Sequence, residues 1–138
     1  MRDLESIKKM LAPLFSGSMG VELLAAEPER VTARMRVRPD LCTTGGNVHG
    51  GALTAFADTL GAVATFVNLP EGAGTTTIES KTNFLGAAAA NTFLSAECTA
   101  LHKGRTTMVW QTRIVSESGK LCAVVIQTQL VLAARPPG

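Results

Sequence analysis

The chain has 138 residues, enough for one domain with a sizeable core. A net charge of +2, no Tyr and a single Trp argue against a nucleic-acid surface, which needs a marked basic excess and rings to stack on bases. With only two histidines, His49 and His102, and no Cys-x-x-Cys pair, no zinc set is expected, and neither a metal nor a cofactor is called for.

The cysteines are Cys42, Cys98 and Cys122. An odd number without metal-ligand spacing fits free thiols packed as small apolar groups in a reducing cytoplasm. The opening residues Met1-Arg2-Asp3-Leu4-Glu5 are charged and lack a signal peptide's apolar core. A cytoplasmic protein without membrane contact is expected.

Asp3 can cap a helix over about residues 3–15, with Leu4, Ile7, Leu11 and Leu14 at spacings of three and four. Glu5, Lys8 and Lys9 lie on its other face, which makes it an amphipathic lid or packing helix ended by Ser16-Gly17-Ser18. Val21 to Ala26 reads as a strand and Glu27-Pro28-Glu29 as a turn. Val31, Ala33, Met35 and Val37 then alternate with Thr32, Arg34, Arg36 and Arg38, the period of a strand with one wet face. Pro39-Asp40 ends it, and the loop from Leu41 to Val48 leads onward.

The central stretch starts in glycines, Gly45-Gly46 and then Gly50-Gly51, and continues to Asn68 without a proline. Its Ala and Leu content predicts a helix of about 50–68, stopped by Pro70. Apolar residues cover nearly every face, so the helix is expected to be buried. Thr54, Thr59 and Thr65 interrupt the run, which favours a core helix over a membrane span. Between His49 and Pro70 the one formal charge is Asp58. A carboxylate there is costly unless it is hydrogen-bonded or does chemistry.

Glu71-Gly72-Ala73-Gly74 follows as a turn, then strands at Thr75–Phe84, Asn91–Leu101, Thr106–Val115 and Leu121–Leu132. His102-Lys103-Gly104-Arg105 reads as a hairpin turn, and residues 133–138 as a frayed tail. Met108, Trp110 and Ile114 share one strand face. The last three strands, joined by short turns, should form an antiparallel meander. The whole is a single α+β domain over 1–138, an antiparallel sheet wrapped around one long central helix.

Val48-His49-Gly50-Gly51, with an acid nine residues after the histidine in an apolar helix followed by four strands, resembles the hotdog-fold acyl-CoA thioesterases. The likeness spans about Gly20 to Leu132 and is nearest to the PaaI-type, phenylacetate-pathway branch and its 4-hydroxybenzoyl-CoA neighbours. It implies hydrolysis of an acyl-CoA, aromatic or arylacetyl, without a cofactor. It also implies a homodimer with sheets joined edge to edge, paired again into a homotetramer. The catalytic set it implies is Asp58, Gly50, His49 and Thr77, with Thr75 and Thr76 beside Thr77. Thr43 stands where many relatives carry Asn or Gln, and Ala62 where the 4-hydroxybenzoyl branch carries Thr. Asp58 with Thr77 therefore matches the PaaI-like arrangement. Substrate contacts fall on Thr43, Gly51, Phe56 and Phe84, with Leu53 beside them, and the coenzyme A phosphates on Lys103, Arg105 and Lys81.

The chemistry can be followed from the residues. Amides at a helix start point outward unpaired and carry partial positive charge. Gly50 lets a thioester oxygen approach its N–H, an oxyanion-type contact of about 3 kcal/mol. Asp58 would be nucleophile or general base. Eight residues at 1.5 Å each separate the two by about 12 Å, too far for one carbonyl to touch both. Either two chains build the site or one assignment fails; the family's answer is two chains.

Plainer readings stand beside these. Asp58 can be a satisfied core carboxylate, His49 a loop-tying residue, Gly50 and Gly51 packing glycines, and Thr75–Thr77 simple strand formers. Arg34, Arg36 and Arg38 read as a solvated face, and Lys103 and Arg105 as ordinary turn residues. Cys42 precedes His49 by seven residues without a third, orienting group. Two other functions fit the same pattern: a non-catalytic acyl-CoA-binding module, and an acyl-thioester hydratase or dehydratase.

Overall fold

The computed structural model describes residues 2–136. Helix α1 (Leu4–Leu11) begins at Asp3, whose carboxylate accepts from the Ser6 N–H at 2.9 Å. That bond and the Ser6 hydroxyl hold the Asp3 carboxyl below its ordinary pKa. The helix is shorter than its apolar spacing suggests, because Pro13 has no N–H to continue the ladder. Leu14 is extended, and a second short helix, α2 (Phe15–Ser18), occupies the stretch expected to end the first.

Strands β1 (Glu22–Glu27) and β2 (Arg30–Arg36) form a hairpin. Helix α3 (Gly50–Phe66) follows, then β3 (Gly74–Phe84), β4 (Phe93–Lys103), β5 (Thr107–Val115) and β6 (Leu121–Leu132). All pair antiparallel in one six-stranded sheet of order β1-β2-β4-β5-β6-β3. The expected meander is β4-β5-β6. The arginines of β2 are solvated and engaged: Arg34 pairs with Glu22 at 2.8 Å and holds that carboxyl below its ordinary pKa. Arg30 pairs with Glu97 at 2.6 Å.

One expectation at the turns is corrected. His102 and Lys103 belong to β4, which is lengthened by a bulge between Ala100 and His102, so the turn proper is only 104–106. Residues 133–136 follow β6 without regular structure, and 137–138 of the expected tail lie outside the described residues.

The sheet curls around α3. Phe56, Ala57, Leu60 and Ala64 are fully buried against Met35, Val37, Leu94, Trp110, Ile114 and Val125. Thr65 is also buried; its hydroxyl returns a bond to the Gly61 carbonyl and accepts the Trp110 indole N–H at 2.8 Å. The expectation of a helix buried all round holds for this face only. Gly51, Ala55, Asp58, Thr59, Ala62 and Phe66 lie on the other face and are exposed or half-buried. Among the described residues no helix is long and apolar enough to cross a membrane, and no cluster of His, Cys, Asp and Glu could hold a metal.

Candidate active site

The loop before α3 is pinned by backbone bonds from the Val48 N–H to the Ala88 carbonyl and from the His49 N–H to the Leu41 carbonyl, both 2.8 Å. His49 is the N-cap. Its backbone is extended, and its Nδ1 accepts the Gly51 N–H at 2.7 Å. An accepting Nδ1 assigns the neutral ring's proton to Nε2. A Cβ on Gly51 would lie 2.9 Å from Nδ1, so glycine is what admits the ring.

Because His49 uses the Gly51 amide and the His49 carbonyl takes the Ala52 and Leu53 amides, one helix-start donor is left over. The Gly50 N–H has no acceptor among the described residues. Phe84 lies against Gly50, where a Cβ would come within 3.0 Å of the ring. Thr43 sits earlier in the loop, exposed, with its hydroxyl turned to the Gly45 N–H and the Asn47 carbonyl at 3.4 and 3.5 Å.

Asp58 lies about two turns further along the same helix, about 12 Å by helical rise. Its Oδ1 accepts from the Thr77 hydroxyl at 2.8 Å and from Gln127 Nε2 at 3.1 Å. Thr77 in turn accepts from Gln129 Nε2 at 2.9 Å, and Gln129 Oε1 accepts from the Thr75 hydroxyl at 3.2 Å. Both glutamines are buried, Gln127 at 1% and Gln129 at 0% exposure. Gln127 Oε1 has no partner among the described residues, an omission that costs about 1–3 kcal/mol.

Neither glutamine was singled out from the sequence. The available signal was two polar residues on the inward, period-two face of the otherwise apolar β6.

The outer face of α3 forms the floor of a groove roofed by the N-terminal segment. One compartment, 340 Å³, is lined by Met10, Leu14, Phe15, Asp58, Ala62 and Phe66. A second, 240 Å³, continues past Phe15 to Met19, Cys42, His49, Gly51 and Ala55. Phe15, 69% exposed, lines both and was also missed, because it lies beyond the period of α1.

The remaining expected contacts fare unevenly. Phe56 is 0% exposed and packs in the core, so its expected place in a substrate pocket is corrected: its helical position points to the sheet. Leu53 is likewise buried. Lys103 is paired with Glu29 and reaches Asn68 beyond the far end of α3, away from Gly50. Arg105 is exposed with no ion pair among the described residues, and Lys81 contacts Asn83 at 3.3 Å. The Cys42 thiol donates to the Arg38 carbonyl at 3.5 Å rather than to His49. Burial pushes the Cys98 thiol up to about 11. His102, beside Gly104 at the end of β4, forms no pair with Asp58.

Residues 45–123 match the thioesterase superfamily, more than half of the chain and the whole stretch from the glycine loop to β6. The chain belongs to the thioesterase superfamily. This member shares its fold with hotdog thioesterases of known structure. Thioesterase HI1161 of Haemophilus influenzae is 28% identical, with a TM-score of 0.89 over 96% of this chain and 92% of that one. The Escherichia coli PaaI protein of the phenylacetic acid degradation operon has the same fold, at 20% identity and a TM-score of 0.86 over 96% and 95% of the two chains. So does a hypothetical thioesterase protein of Streptococcus pneumoniae solved with coenzyme A, at 24% identity and a TM-score of 0.76 over 85% and 92%. The fold expected from the His-Gly-Gly pattern is thereby shown, as is membership of a family of thioester hydrolases.

Proposed function

We propose that this thioesterase hydrolyses an acyl-CoA, with an aryl or arylacetyl group, in a site completed by a second copy of the chain. The observation that carries the reading is Asp58: one hydrogen-bonded carboxylate on the floor of a mainly apolar groove. An apolar groove suits the acyl group, and Phe15 and Phe66 suit an aromatic ring. The Asp58–Thr77 pair supports the PaaI-like arrangement, and through it a place in phenylacetate catabolism.

The unpaired Gly50 N–H donates to the thioester oxygen as negative charge develops there. Asp58 of the other protomer either attacks the carbonyl carbon or takes a proton from water that does so. The C–S bond breaks, the sulfur leaves as the CoA thiolate, and net hydrolysis adds one water to yield the free acid and CoA. The 12 Å between Gly50 and Asp58 in one chain supports the two-chain site. So does β3, an eleven-residue strand at the sheet edge. A homodimer, paired again into a homotetramer, follows from that reading. His49 acts by fixing the helix start, Thr77 by holding Asp58. Of the two expected turn cations, Arg105 has no ion pair among the described residues and is available to a CoA phosphate, whereas Lys103 would first have to leave Glu29. Three free cysteines fit a cytoplasmic setting.

The test is thiol release from phenylacetyl-, benzoyl-, hydroxybenzoyl- and straight-chain acyl-CoA, for the wild type and Asp58→Ala. Turnover of an aryl substrate, lost in Asp58→Ala, is expected. Binding of CoA esters without turnover would replace the reading by that of a binding module.

A further inference from the structure

Both hydrogen bonds to the Asp58 side chain end on the same oxygen. Thr77 and Gln127 donate to Oδ1, and Oδ2 accepts none among the described residues. We infer that Gln127 and Gln129 are positioning residues that decide which carboxylate oxygen reacts: they anchor Oδ1 and leave Oδ2 for the thioester or its water. The inference rests on the role proposed for Asp58.

The argument is one of proton direction. A threonine hydroxyl carries one proton, and it goes to Asp58 only if its oxygen's other neighbour is a donor. Gln129 is that donor, through Nε2. The carboxylate fixes that direction: its oxygen only accepts, so the Thr77 proton points at Asp58 and the Thr77 oxygen faces Gln129 Nε2. Gln129 to Thr77 to Asp58 therefore donates in one direction, while the Thr75 hydroxyl lies within reach of both Gln129 Oε1 at 3.2 Å and the Leu130 carbonyl at 3.0 Å.

Gln127 is held by packing. A Cβ on Gly61 would come 2.2 Å from its Cδ, so the amide lies directly on the bare helix backbone. Turning the amide over would set its oxygen against the carboxylate. The orientation that donates leaves Oε1 unpartnered and buried, as observed. A core built for stability alone would place an apolar side chain there.

The experiment compares Gln127→Met, Gln129→Met, Thr77→Val, the Thr77→Val/Gln129→Met double variant and Asp58→Ala, each confirmed folded by circular dichroism. Loss of a bond to a charged group predicts that kcat falls roughly tenfold to a hundredfold in Gln127→Met, and loss of the neutral bond to Thr77 a smaller fall, about threefold to tenfold, in Gln129→Met, with KM within about twofold in both. In the Thr77→Val background, Gln129→Met should change nothing further, since it acts only through that hydroxyl. A merely structural role would lower the stability of the variants and leave the kcat of the folded protein unchanged. Side-chain amide signals of Gln127 give a readout free of turnover: slow exchange in the wild type, lost in Asp58→Ala. Wild-type kcat in folded Gln127→Met and Gln129→Met, or additivity in the double variant, would overturn the inference while leaving Asp58's role intact. Full activity in Asp58→Ala would remove both.

Discussion

The two faces of α3 are made from the same few residue types and do opposite things. The inner face sets Phe56, Leu60 and Ala64 against the sheet, with no exposure at all. The outer face sets Ala55, Asp58, Ala62 and Phe66 along a groove, with only the N-terminal segment over it. Alanine is on both, so hydropathy alone does not separate them. What separates them is whether something apolar from the same chain covers the position. The inner face holds the fold; the outer face is left open along the groove.

The comparison can be broken hardest from inside. Phe56→Ala should cost about 3–5 kcal/mol of stability, read as a lower denaturant midpoint, because a fully buried ring leaves a cavity. If Phe56 lined the groove instead, KM would move and stability would not.

Gly61→Ala tests the seam between the faces. The new methyl collides with Gln127, which cannot swing away into solvent. A loss of about 1–3 kcal/mol is expected, together with a lower kcat as Gln127 leaves Asp58. Unchanged kcat in the folded variant would separate Gln127 from the site.

The smallest effect on stability belongs to the roof. Phe15→Ala should change it by no more than about 0.5 kcal/mol, since the ring is mostly exposed. It should raise KM for aryl substrates about tenfold through lost apolar contact. Steady-state kinetics with phenylacetyl- and acetyl-CoA would show this, with the shorter ester hardly affected.

Much of this was legible because local rules governed it. The Asp3 cap, the alternation from Val31 to Val37 and the glycine-to-proline limits of α3 each rest on neighbours within a few residues. His49 as a cap is equally local, since its partner is Gly51. Thr77 was reached through resemblance, and the structure brings it to Asp58. The misreadings have physical causes too. Pro13 ended α1 within an unbroken apolar spacing, and a bulge carried β4 through residues that read as a turn. The pairing of Lys103 was not legible because Glu29, its partner, lies 74 positions away.

By itself the sequence determined a central apolar helix with one acid, a glycine-rich start, a run of strands and the superfamily those patterns mark. Periodicity and turn chemistry act over short ranges, so they can be read along a chain. Only the tertiary structure decided which face of the helix stays open, that Gln127 and Gln129 of β6 meet Asp58 and Thr77, and that Phe15 roofs the groove. These contacts join residues about 50 to 70 positions apart. Sheet order and the register of β3 on β6 bring them together, and no local propensity encodes either.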